Sequence, residues 1–187
     1  MKTLKKQFAD SFHELKSMKT LAASAMLLAI TVVLGFYRLQ LTDFIRIGFD
    51  FIAKEMASMI FGPVVGCVIA GLADIISFIL KPIGAYFPGL TISAMLASVI
   101  YGIVLYQKPL SLKRVILANA TVTIFINMIL NTYWMTILLG DGFMALFPAR
   151  AVKQIIMFPI EIILFYTVAK ALSKANIFIK GGSTAKF

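Results

Sequence analysis

The chain has 187 residues, of which 60% are hydrophobic and only 14% charged, with 18 Lys and Arg against 8 Asp and Glu for a net charge of +10. Its mean hydropathy is +0.94. This excludes an ordinary soluble domain, whose charged share is about 25%. The basic surplus does not indicate nucleic acid, because it gathers at the ends of apolar runs. Lys2, Lys5, Lys6, Lys16 and Lys19 precede the first run, Lys108, Lys113 and Arg114 separate two later ones, and Lys170, Lys174, Lys180 and Lys186 close the chain.

The runs Thr20–Tyr37, Met56–Ala73, Pro82–Gln107 and Val115–Gly140 contain no charge. A hydrocarbon core about 30 Å thick takes roughly 20 such residues per helical crossing, so they are spans or pieces of spans. The positive-inside pattern places both termini and the Lys108–Arg114 loop in the cytoplasm, which demands an even number of crossings. Residues 1–19 read as a basic cytoplasmic lead, 20–174 as one membrane domain and 175–187 as a basic cytoplasmic tail. The basic clusters face anionic lipid headgroups or simply water. In the lead, Leu4, Phe8, Phe12 and Leu15 recur at near-helical spacing between lysines and His13. That pattern fits a helix lying on the inner membrane surface, with a disordered tail as the alternative. The first apolar run follows a long charged lead and reaches full membrane length, as for a retained helix rather than a cleaved signal peptide.

The first span ends near Phe36-Tyr37-Arg38, and Leu39–Asp50 reads as an outer loop folding back into the membrane. Phe44–Leu80 is too long for one crossing and just long enough for two short ones, with Phe61-Gly62-Pro63 as the break between them. A fourth helix is expected from about Gly89, entered through Pro88, to Tyr106, a fifth from Leu112 to Leu139, and a sixth from Pro148 to Leu172. The outer loops are then Phe36–Asp50, Leu80–Gly89 and Leu139–Ala149. The fold class is all-α, an integral membrane protein of six transmembrane helices. No internal repeat marks an inverted-repeat carrier.

Several chemistries are excluded. The G-x-x-x-x-G-K-[ST] phosphate loop is missing, so the chain does not hydrolyse ATP by that route. One histidine and one cysteine, His13 and Cys67, support neither a His/Cys metal site, a disulfide framework nor a nucleophile–histidine triad. Asp74 and Glu161 lie inside apolar helices, where ionisable groups are costly. Asp74 reads as the structural partner of a basic residue or helix end, and Glu161 as structural also. A membrane-embedded enzyme would have to use one of these two carboxylates.

Small residues form two stripes, Ala22/Ala25/Ala29 on the first helix and Gly62/Gly66/Ala70 on the third. In lipid such residues let helix backbones approach closely, so each stripe fits internal packing, and the alanine face also fits docking of a partner protein. The outer rim carries Arg38, Arg46, Arg150 and Lys153 beside Phe36, Tyr37, Tyr86, Phe87, Tyr133 and Trp134. Cations outside run against the positive-inside tendency. An anionic ligand with a ring would account for the set, through guanidinium–carboxylate forks and aromatic stacking. Interfacial anchoring accounts for each residue taken singly. Asn127 and Asn131, with Thr123 a turn earlier, share one face of the fifth helix and need hydrogen-bond partners from other helices or a ligand.

The stretches Gly84-Ala85-Tyr86-Phe87-Pro88-Gly89-Leu90-Thr91-Ile92-Ser93-Ala94, Ile100-Tyr101-Gly102, Leu130-Asn131-Thr132-Tyr133-Trp134 and Leu146-Phe147-Pro148-Ala149-Arg150-Ala151-Val152-Lys153-Gln154 resemble the folate-family substrate-binding component of energy-coupling-factor vitamin transporters. The resemblance implies a six-helix bundle that binds its vitamin from outside. It also implies a shared module of one transmembrane coupling protein and two cytoplasmic ATPases, docked through small residues that map onto Ala25 and Ala29, with Ala22 in line. No cofactor is expected, since ATP would be used by the partners. The expected substrate-binding residues are Arg38, Arg46, Phe87, Pro88, Asn127, Asn131, Tyr133, Trp134, Arg150, Lys153 and Gln154. Another anionic vitamin such as pantothenate would also suit the arginine rim but would leave the aromatics underused.

Overall fold

The computed structural model describes residues 2–36, 39–40, 46–82, 86–140 and 143–174. Helix α1 (Lys2–Glu14) precedes α2 (Met18–Phe36), and a two-residue antiparallel ladder, β1 (Leu39–Gln40) with β2 (Arg46–Ile47), pairs Leu39 with Ile47 and Gln40 with Arg46. Then follow α3 (Asp50–Phe61), α4 (Pro63–Leu80) and α5 (Pro88–Leu105). Helix α6 (Leu112–Thr121) runs into a π segment (Val122–Leu130) and on into α7 (Asn131–Leu139), and α8 (Phe143–Lys174) completes the bundle.

Helices α2, α4 and α5, the continuous Leu112–Leu138 stretch and the Arg150–Ser173 part of α8 are long and apolar enough to cross a membrane. Helix α3, with 12 residues, is about 18 Å long at ~1.5 Å per residue and supplies the short sixth membrane element. The break expected at Phe61-Gly62-Pro63 is where the structure divides α3 from α4. Gly62 adopts φ 92° and ψ −179°, a region essentially restricted to glycine. Pro63 then opens α4 at a position where its missing N–H costs nothing.

The basic lead is helical, and it is tied to that break. Ser11 is fully buried and donates to the Phe61 carbonyl at 2.8 Å, while its hydroxyl accepts the Val64 and Val65 amides at 3.1 and 3.3 Å. A hydroxyl from α1 thus caps the start of α4 in place of a local residue. Gln7, also buried, donates to the Tyr106 carbonyl at the end of α5 at 3.2 Å. Leu4, Phe8 and Phe12 face outward and Leu15 packs against the Ala57/Phe61 cluster, so most of the apolar stripe is left on the surface while Ser11 and Gln7 hold the helix in place.

Since apolar burial gives no drive to helix association in lipid, close backbone approach and hydrogen bonds must supply it. Gly102 of α5 lies against the Pro63 backbone so closely that a Cβ there would collide with it. Ala57, Ala70, Ala73 and Ala118 are completely buried. Gly66 and Ala70 are buried, and a Cβ on Gly66 would overlap Ser58, so this stripe packs the fold internally. A larger cluster, centred on Met56, Tyr101, Val115 and Phe165, joins α3, α5, α6 and α8.

Two expectations need correction. The sixth helix begins at Phe143, not Pro148, so residues 143–149 are helical rather than outer loop. The stacked rings of Phe143 and Phe147, four residues apart with centroids at 5.6 Å, stabilise that added turn, and Pro148 and Pro159 both sit within the helix. The fifth helix is not uniformly α, because it carries the π segment over Val122–Leu130.

Candidate functional site

A cavity of about 280 Å³ lies among α3, α4, α5, the π segment, α7 and α8. That is close to the lower bound of about 300 Å³ for small-molecule pockets. Nearer the loop-bearing end, where α4 leads into α5 and α7 into α8, it is lined by Phe51, Asp74, Leu90 and Asn131; toward the middle of the bundle it reaches Ser98, Tyr101, Val122 and Glu161. Leu90 and Tyr101 on α5 are eleven residues apart, so the cavity runs about 16 Å along the helix at ~1.5 Å per residue.

An aromatic cluster stands beside the cavity, behind its lining residue Ser93. Pro88 is the first residue of α5, and Phe87 just before it lies 5.5 Å from the Trp134 ring at 50°. Tyr133 stands 5.3 Å from the same indole, and Trp134 Nε1 donates to Ser93 Oγ, a cavity residue, at 3.2 Å. Tilted contacts of this kind favour the positive edge of one ring over the negative face of another. Phe87, Tyr133 and Trp134 therefore form the one cluster expected from the sequence. Asn127 and Asn131 also come together, with Asn131 Nδ2 donating to Asn127 Oδ1 at 3.2 Å, and both line the cavity. Asn131 Oδ1 is buried without a partner.

Thr123 is not part of that face. It donates to Asn119 Oδ1 at 2.9 Å and accepts from Gln154 Nε2 at 3.3 Å. Gln154 is thus a buried link between α8 and the π segment rather than part of the cavity lining. Arg150 also lies outside the lining, yet one of its guanidinium nitrogens is buried without a hydrogen-bond partner. The positive charge of Lys153 bears on Glu161. Arg46 is placed by its backbone alone, opposite Gln40 in the ladder, and Arg38 lies outside the described residues. Ala22, Ala25 and Ala29 are all exposed on α2.

The acidic residues are arranged differently from the sequence expectation. Among the described residues Asp74 is seen with a hydroxyl rather than a base: it accepts the Thr91 hydroxyl at 2.7 Å, Thr91 lies 3.0 Å from the Tyr86 hydroxyl, and Asp74 lines the cavity. Glu161, read as structural, also lines the cavity, and Asn119 hydrogen-bonds its side chain. Glu55 and Lys54 were missed altogether. Lys54 is held by Asp50 at 2.7 Å, and Glu55 is buried on α3, hydrogen-bonded to Tyr101 and within electrostatic reach of Glu161. The available signal was a glutamate directly followed by the charge-free run Met56–Ala73, which placed it inside a membrane helix.

A cleft that carries carboxyl and amide groups among apolar ones, with an aromatic cluster behind Ser93, suits capture of a hydrogen-bonding small molecule. The family model for the ECF transporter substrate-specific component matches residues 19–169. The folate transporter FolT of Clostridium novyi (strain NT) is 38% identical over 173 residues, covering 92% of this chain and 99% of that protein. The folate transporter FolT of Leuconostoc mesenteroides subsp. mesenteroides is 30% identical over 149 residues, covering 76% and 80%. A crystal structure of FolT bound with folic acid superposes with a TM-score of 0.77 at 36% identity, covering 83% of this chain and 95% of that one. With the six membrane elements and this cleft, these matches establish that the chain is an integral membrane protein of the ECF transporter substrate-specific component family, a transport component and not an enzyme.

Proposed function

We propose that this chain captures folate from outside the cell and delivers it for uptake to an ATP-driven module of one transmembrane coupling protein and two ATPase subunits. The carrying observation is the cleft itself, lined by the Asn127/Asn131 amides and by Ser93, which accepts the indole N–H of the Phe87/Trp134 ring pair beside it. Support comes also from relatives named as folate transporters along nearly the whole chain and from the FolT structure that holds folic acid. The ring of the vitamin sits in the cleft, and its carboxylates meet Arg150, whose unpartnered nitrogen is a buried donor in want of an acceptor. Arg38, Arg46 and Lys153 add positive charge to the same rim. Both termini and the Lys108–Arg114 turn face the cytoplasm of a cell-membrane protein. The exposed Ala22/Ala25/Ala29 face of α2 docks the coupling protein. Folate is cargo in this scheme, and ATP is consumed by the partner subunits.

The test is calorimetric titration of the detergent-purified chain with folic acid. One saturable site supports the reading; heats no larger than those of dilution overturn it.

A further inference from the structure

The inner end of the cavity is acidic, and its acids are not all satisfied by the protein. Glu55 is 7% exposed and lines the cavity, and its Oε2 has no hydrogen-bond partner. The Tyr101 hydroxyl engages the same carboxyl, and Glu161, on α8, is close enough for its charge to act on it. Lys54 is committed to Asp50 at 2.7 Å and Asp74 to Thr91 at 2.7 Å, while the other unpartnered acceptor of the lining, Asn131 Oδ1, lies nearer the outer end. A buried acceptor left without a donor is costly, so this one calls for a donor that arrives from the cavity. A ligand carboxylate placed there would meet two protein carboxyls. A ring edge carrying an amino group beside a ring N–H presents two parallel donors that match one carboxyl group.

We propose that Glu55, with Glu161 beside it, forms an acceptor floor that reads the N–H edge of the ligand's heterocycle. This rests on the folate reading above and gives the ligand a direction. The ring enters first, and the carboxylates stay at the outer rim. Arg150 lies eleven residues before Glu161 on α8, about 16 Å farther toward the outer end at ~1.5 Å per residue, so the two ends of an elongated ligand meet opposite charges. Discrimination then comes from both ends: an anion is rejected at the floor and required at the rim.

Two probes separate this from simple pocket filling: folic acid, and the otherwise identical analogue with hydrogen in place of the ring amino group. The wild-type chain should bind the analogue roughly tenfold to hundredfold more weakly than folic acid, the range of one charge-assisted hydrogen bond. Glu55→Gln should weaken folic acid by a similar factor, because an amide group now faces a donor, yet change the analogue by less than about threefold. Equal wild-type affinity for the two probes overturns the proposal even if the variant does not fold, and so does an equal Glu55→Gln penalty on both. If the wild type binds neither probe, the folate reading itself has failed and this inference falls with it.

Discussion

Arg150 combines two properties that seldom coexist in a folded protein, a charged side chain and a buried nitrogen with no acceptor. If it holds a ligand carboxylate, Arg150→Ala should weaken folic acid binding by about one to two orders of magnitude. Arg150→Lys should recover only part of that loss, since an ammonium keeps the charge but not the two-point fork. Calorimetry with folic acid and with an analogue lacking the glutamate moiety checks the assignment. The Arg150→Ala penalty should largely disappear with the truncated ligand, and a penalty of the same size on both would return Arg150 to a structural role. At this scale the aromatic cluster and the asparagine pair were legible, because residue type and helical spacing suffice to bring them together. Glu55 was not. It falls within the Phe44–Leu80 stretch expected to cross the membrane, but the groups it meets, Tyr101 and Glu161, come from α5 and α8. Asp74 and Glu161 were noticed as costly membrane carboxylates, but which groups satisfy them depends on Thr91 and Asn119, which come from other helices.

Among the elements, the α3–α4 break is the part most directly written in the sequence, since Gly62 and Pro63 each dictate their own backbone. What cannot be read there is that the break is completed by Ser11, about fifty residues away. Ser11→Ala removes one donor and one shared acceptor at a fully buried site, and should cost about 0.5–2 kcal/mol, the usual range for a lost cap. Thermal unfolding in detergent should show a midpoint lowered by about 2–4 °C per kcal/mol lost, with Ser11→Thr retaining more stability than alanine. An unchanged midpoint for Ser11→Ala would mean that α1 is not part of the cooperative fold. The π segment was likewise hidden. Widening a helix by one residue per turn leaves no mark in composition, and it occurs here on the stretch whose Val122, Ile126 and Asn127 line the cavity, as π segments often do at functional sites. The early start of α8 was masked by Pro148, which reads as a helix opening and sits instead within the helix.

On the scale of the whole molecule, the cleft and the alanine face of α2 use different surfaces, so capture and coupling should be separable. Ala29→Leu, or Ala25→Leu, should abolish uptake in cells while leaving folic acid binding in detergent within about threefold of wild type, because a bulky side chain blocks close helix approach without reaching the cavity. Joint loss of both functions would show that the alanines pack the fold. Six membrane elements were foreseeable from the apolar runs and from the even parity required by the basic clusters, whereas the bundle's interior chemistry depends on groups from α3, α4, α5, the π segment, α7 and α8 meeting around one cavity. Trp134 is the single tryptophan of the chain, and its indole N–H donates to Ser93, which lines the cleft. The indole fluorescence of the protein therefore originates one hydrogen bond away from the cleft lining. The intact molecule carries its own optical reporter, and occupancy can be followed as a change in emission without attaching any label.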